Sequence, residues 1–218
     1  MKKLVIVNFK AFQNSTGQNA VKLARICEKV CEKTKTNILI AVQTADIYQV
    51  SKSVKIKVLA QHIDPINYGQ FTGHILPENV KENGAIGALI NHSEKKLRFN
   101  DLKKTIKKAK ELDLLTIVCA ATPEEAKKIA SLKPDFIAIE PPELIGSNIS
   151  VSQAKPEIIT RTTKMIKNIP ILCGAGIKTK EDVRIAVRLG AKGILVAHAI
   201  TNATNPEKAL KELVNGLN

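Results

Sequence analysis

Residues 115–140 read LTIVCAATPEEAKKIASLKPDFIAIE. The stretch opens on one short apolar run, Leu115–Cys119, and closes on another, Phe136–Ile139. Uninterrupted runs of this kind suit strands of a parallel sheet covered on both faces. Between them, Thr122-Pro123-Glu124-Glu125 reads as a capping box with proline at the first helical position. Ala126, Ile129 and Ala130 then share one helix face. The stretch is therefore a strand–helix–strand unit, and Glu140 stands directly at the end of its second strand.

The same unit repeats outward in both directions. Apolar runs predict further strands at Leu4–Val7, Ile38–Val42, Val58–Gln61, Ala88–Ile90, Ile169–Cys173 and Gly193–Val196. Amphipathic patterns fill the gaps. Ala20, Leu23, Ala24, Cys27, Val30 and Cys31 trace one helix face, and Leu102, Ile106, Ala109 and Leu112 trace another, with Asn100 as its expected cap. Thr179 and Asn205-Pro206 open later helices, and short helices are expected near Asp46–Ser51 and Pro77–Lys81. Eight β-then-α units without a linker predict one α/β domain over residues 1–218, a closed (β/α)8 barrel. An open doubly wound sheet would carry a glycine-rich turn after its first strand, and Val7-Asn8-Phe9-Lys10 has none.

Composition sets the remaining bounds. Of 218 residues 44% are apolar but only 3% aromatic, so the core must be aliphatic. The net charge of +14 comes mostly from lysines spread along helix faces. No basic segment alternates with aromatics as a base-stacking surface requires, so no nucleic-acid partner is expected. A positive field does favour small anionic substrates such as phosphates. Cys27, Cys31, Cys119 and Cys173 form no CxxC and have no histidine at zinc spacing, which reads as buried thiols in a reducing compartment. No apolar run reaches membrane-spanning length and no signal sequence is evident, so a cytoplasmic protein with no membrane partner is expected.

In a barrel of this kind the site lies at the C-terminal ends of the strands. Those ends carry Asn8 and Lys10, Gln61-His62, Asn91-His92-Ser93-Glu94, Glu140-Pro141-Pro142, Gly174-Ala175-Gly176 and Ala197-His198-Ala199. Together with Phe71-Thr72-Gly73 and Glu143-Leu144-Ile145-Gly146, these segments resemble the triosephosphate isomerase family in order and spacing. The short chain is similar to the archaeal branch of that family.

The resemblance implies interconversion of dihydroxyacetone phosphate and glyceraldehyde 3-phosphate through an enediolate, without cofactor or metal. Glu140 would be the base, placed by an apolar strand where a carboxylate is partly stripped of water. His92 would be the electrophile, with Ser93 as expected cap of the short helix that follows. Lys10 would face the substrate's negative charge and Asn8 would hold Lys10 or a substrate oxygen. Ile145, Gly146, Gly176, Ala197 and His198 would contact the phosphate, with Gly174 and Gly176 letting the chain approach the anion. Pro141 to Asn148 resembles a lid that excludes water. Thr72 would be the tip of an interface loop in a homodimer or homotetramer. His62 and His74 read as structural. Two departures bear on the phosphate: Ala197-His198-Ala199 replaces a small-residue and glycine turn, and Gly146-Ser147-Asn148 replaces a Gly-Thr-Gly hinge. A positive φ at Ala199 would be strained. Another phosphate-binding barrel enzyme, or a paralogue kept for binding, is the alternative.

Overall fold

The computed structural model describes residues 3–144 and 150–217. Its strands are β1 (Leu4–Asn8), β2 (Asn37–Val42), β3 (Lys57–Ala60), β4 (Ala85–Ile90), β5 (Leu115–Ala120), β6 (Phe136–Ile139), β7 (Ile171–Cys173) and β8 (Gly193–Val196). They close in sequence order into one parallel barrel, with β8 pairing back onto β1. The helices are α1 (Gln18–Thr34), α2 (Ile47–Ser53), α3 (Pro77–Glu82), α4 (Phe99–Glu111), α5 (Pro123–Ala130), α6 (Val151–Ala154), α7 (Pro156–Met165), α8 (Lys180–Arg188), α9 (His198–Thr201) and α10 (Pro206–Asn215). Among the described residues no helix is long and apolar enough to cross a membrane.

Strand alternation sorts the core into two shells. Leu4, Ile6, Leu39, Ala41, Leu59, Leu89, Ile117, Cys119, Ala138, Leu172 and Leu195 form the interior cluster. Their strand neighbours, such as Val5, Val7, Ile90, Val118, Ile137 and Ile139, pack outward with the helix faces in the larger cluster. Each fully buried aliphatic side chain contributes roughly 1.5–3 kcal/mol. The same period of two carries past the strand ends. Asn8 follows Ile6, Gln61 follows Leu59, Glu140 follows Ala138, Gly174 follows Leu172 and Ala197 follows Leu195, all onto the inner face of the barrel mouth.

Two expected caps are corrected. α4 starts before Asn100: the Leu102 amide already bonds the Arg98 carbonyl at 2.9 Å, so the helical ladder begins at Arg98, which makes no side-chain cap. At α5 the Thr122 hydroxyl accepts the Glu125 amide at 3.1 Å, but the return bond goes elsewhere. Glu125 Oε2 accepts from the Ala121 amide at 2.7 Å, because its other oxygen is held by Lys96 and Asn91. Thr179 and Asp182 make the full reciprocal box at α8, and Asn205 caps α10.

On the outside, Glu207 of α10 gathers Lys29 and Lys33 of α1 and Lys211 of its own helix, at 2.7, 3.4 and 2.6 Å. Hydrogen bonds from Lys211, then Lys29 and Lys33, bring its carboxyl from 4.5 down to about 2. A depressed carboxyl contributes stability above its unfolded value and loses it as pH falls through its folded value. Urea unfolding of the chain and of Glu207→Gln should therefore differ at neutral pH, and the gap should close as pH falls from 4.5 to about 2. A gap independent of pH in that window would contradict the α1–α10 clamp.

Candidate active site

Residues at several strand ends meet in a cleft at the barrel mouth. Asn8, Lys10, His92 and Glu140 line it, together with Gly176, Ala197 and His198. Ile145 and Gly146 lie outside the described residues. Thr72 lies in the exposed segment 69–73, away from this cleft.

Glu140 is 6% exposed. Its amide extends the β5–β6 ladder by bonding the Ala120 carbonyl at 2.8 Å, so the residue is fixed by the sheet. Among the described residues its Oε2 has no hydrogen-bond partner. Leaving a buried carboxylate oxygen unpaired is costly, and such costs concentrate where a reacting atom is to be received. Gly174 makes room for this side chain. A Cβ there would stand 2.4 Å from Glu140 Cγ and 2.6 Å from Oε1. Gly174 thus admits the Glu140 side chain, a role the sequence did not suggest for it. The buried thiols of Cys119 and Cys173 are both pushed up, first by burial and then by the neighbouring Glu140 charge. They are inert at neutral pH. Burial, with Cys31 nearby, likewise pushes Cys27 up to about 12.

His92 is also 6% exposed, with Nε2 3.7 Å from Glu140 Oε2. It, not Ser93, caps the short turn Ser93–Lys95, because its Nδ1 accepts the Glu94 amide at 3.2 Å. A backbone N–H can only donate. Nδ1 therefore presents a lone pair, and the assigned ring is the neutral tautomer with its proton on Nε2, toward the cleft.

Lys10 adopts φ 51, a left-handed conformation uncommon for a residue with a Cβ. Asn8 Oδ1 accepts the Lys10 amide at 3.1 Å, and Gln61 Nε2 donates to the Lys10 carbonyl at 3.1 Å and to Ala41 O at 3.2 Å. Lys10 Nζ pairs with Glu94 at 2.7 Å. Gln61 and Glu94 had no role in the sequence reading beyond their place in the motifs. Gln61 was placed at the end of β3 by the sequence, but its hold on the Lys10 carbonyl was not.

Opposite, the strained residue is Ala175 (φ 62), followed by Gly176 (φ 71), and Ala199 is not among the left-handed residues. The positive φ considered at Ala199 is absent there, and one occurs instead at Ala175 after β7. Asp182 braces that turn. Its Oδ2 accepts the Lys178 and Thr179 amides at 3.0 and 2.8 Å, and its Oδ1 accepts from Ser150 at 2.6 Å. Burial pushes the Asp182 carboxyl up, but these bonds together hold it below the usual value. His198 is exposed at the rim, edge-on to Phe12 with ring centroids 6.1 Å apart. His62 Nε2 lies 3.1 Å from Asp64 Oδ1.

The profile of the family described as triosephosphate isomerase matches residues 3–216. Curated proteins named triosephosphate isomerase are similar along the whole length. That of Methanobacterium bryantii is 51% identical over 216 residues, covering 97% of this chain and 96% of the relative. That of Methanothermus fervidus is 47% identical over 215 residues, covering 97% of each chain. That of Saccharolobus solfataricus is 45% identical over 214 residues, covering 97% of this chain and 94% of the relative.

Proposed function

The chain belongs to the triosephosphate isomerase family, and from that premise we propose that it interconverts dihydroxyacetone phosphate and D-glyceraldehyde 3-phosphate with Glu140 as base and His92 as electrophile. The observation that carries this reading is the pairing at the cleft. A buried carboxylate with an unpartnered oxygen stands 3.7 Å from the Nε2 of a histidine whose other nitrogen is engaged. Glu140 takes a proton from the carbon beside the substrate carbonyl, leaving an enediolate. His92 Nε2–H donates to the developing oxyanion and, by giving its proton to one oxygen and taking one from the neighbouring oxygen, moves the carbonyl between carbons. Glu140 then returns its proton to the adjacent carbon. Lys10, turned inward by Asn8 and Gln61, offsets the developing charge.

Backbone amides around Gly176, Ala197 and His198 hold the phosphate on the far side of the cleft, together with Ile145 and Gly146 of the lid. Four free thiols support a reducing, cytoplasmic setting. An assay coupling either triose phosphate to a nicotinamide-dependent dehydrogenase tests the reaction directly. No turnover by purified chain would favour a paralogue kept for binding.

The chain also assembles with copies of itself. A second cleft, lined by Lys10, Gln61, His62 and Glu94, opens beside the first. Phe71 is 42% exposed next to Thr72, which suits insertion of this segment into the neighbour's cleft. Sedimentation at micromolar concentration should give a dimer or tetramer, and Thr72→Arg should shift it toward monomer. A monomeric unmodified chain would overturn the assembly.

A further inference from the structure

We propose that Asn91 is a positioning residue for His92, and that its side-chain amide, together with Glu125, holds the turn that aims the imidazole into the cleft. The inference rests on the reading of His92 as the electrophile.

Strand alternation alone would aim His92 the wrong way. In β4, Leu89 is interior and Ile90 packs outward. An extended continuation would put Asn91 inside and His92 outside, against the helices. Asn91 breaks the alternation with φ 63, a left-handed conformation. Asparagine enters that region more readily than other residues with a Cβ, but it still needs holding.

The holding is complete on the side chain. Asn91 is 2% exposed. Its Nδ2 donates to the Cys119 carbonyl of β5 at 2.9 Å and to Glu125 Oε1 of α5 at 3.1 Å. Its Oδ1 accepts the Leu97 amide at 3.0 Å. That last bond closes the loop from 91 to 97, which contains the turn whose Glu94 amide fixes the His92 tautomer. Glu125 is set as an acceptor by Lys96 Nζ and the Ala121 amide, both at 2.7 Å. The end of β4 that carries His92 is thus tied to β5, the strand that pairs with the Glu140-bearing β6. Glycine would supply the backbone angle without the ties. Aspartate would keep the shape and the bond from Leu97, but it would lose both donated bonds and face the Glu125 carboxylate.

Steady-state kinetics of Asn91→Gly, Asn91→Asp and the double variant Asn91→Asp/Glu125→Gln test this, with His92→Gln alongside. Each single Asn91 variant should lose about 10- to 100-fold in kcat while KM changes less than about threefold, as small misplacements of a reacting group do. The double variant should recover part of the loss of Asn91→Asp, because a glutamine amide at 125 can donate to the new carboxylate while its oxygen keeps the Ala121 amide, and only the bond to the Cys119 carbonyl stays lost. Nitrogen-15 NMR of the His92 ring should show an accepting Nδ1 in the unmodified chain and in the double variant, and an altered one in Asn91→Asp. Wild-type kcat in folded Asn91→Gly or Asn91→Asp would overturn the proposal. So would a double variant no faster than Asn91→Asp. His92→Gln reports separately: wild-type turnover there would remove the reading of His92 itself.

Discussion

Replacing Glu140 by aspartate is expected to lower kcat by about two to three orders of magnitude with the fold intact. The carboxylate is held by strand β6 from below and admitted by the absence of a side chain at Gly174. Its oxygen has been brought to 3.7 Å from His92 Nε2. Aspartate keeps the charge and withdraws it by one methylene, and a displacement of about 1 Å in a proton-transfer geometry can cost about 100-fold. The structural cost is small by comparison. One buried methylene is worth about 1 kcal/mol, against a total stability of roughly 5–15 kcal/mol. Thermal unfolding should therefore change by a few degrees while kcat collapses. Turnover within tenfold of the unmodified chain would contradict the dependence on carboxylate position argued for Glu140, since no other carboxylate lines the cleft among the described residues.

His92→Gln should produce a loss of similar size, about 10²–10³-fold in kcat, for a different reason. Glutamine can place an N–H donor near the substrate oxygen, so ground-state binding and KM should change little. It cannot pass a proton between two oxygens, because an amide nitrogen neither gives up its proton nor takes one back as the imidazole Nε2 does. It also lacks the ring lone pair that accepts the Glu94 amide at 3.2 Å, so the turn Ser93–Lys95 loses its cap. A cap is worth about 1 kcal/mol, too little to unfold the chain. A fall in KM parallel to kcat would mean that His92 acts on binding or strain in the ground state. Unchanged kcat would exclude it as electrophile.

The barrel was legible from one dimension because its rule is local. A strand buried on both faces must be apolar throughout, and a helix covering it must be apolar on one stripe. Leu115–Cys119, Phe136–Ile139 and the face of Ala126 and Ile129 therefore announce themselves. β7 proved shorter than its apolar run, starting at Ile171, and β4 longer, starting at Ala85. Strand ends depend on which neighbours remain in register, and that is not a local property. Lys10, His92 and Glu140 were legible as strand-end residues within motifs. Their partners were not, since Gln61 reaches Lys10 across 51 positions and Glu94 reaches it across 84.

The eight alternating units, the aliphatic core and the polar residues that crown the strands are written in the order of the amino acids, because burial imposes periodicity on neighbouring residues. The direction in which those crowning residues point is set by contacts made in the folded barrel. Ideal alternation sends His92 outward, and it takes the left-handed Asn91, tied to Cys119, Glu125 and Leu97, to turn it in. Glu140 needs a neighbour without a Cβ on the next strand. The strain after the last strands falls at Ala175, where Asp182 braces the turn from α8. The ties from Asn91 to Cys119 and Glu125, and the fit of Glu140 against Gly174, join residues 28 to 34 positions apart, beyond the reach of a local periodicity.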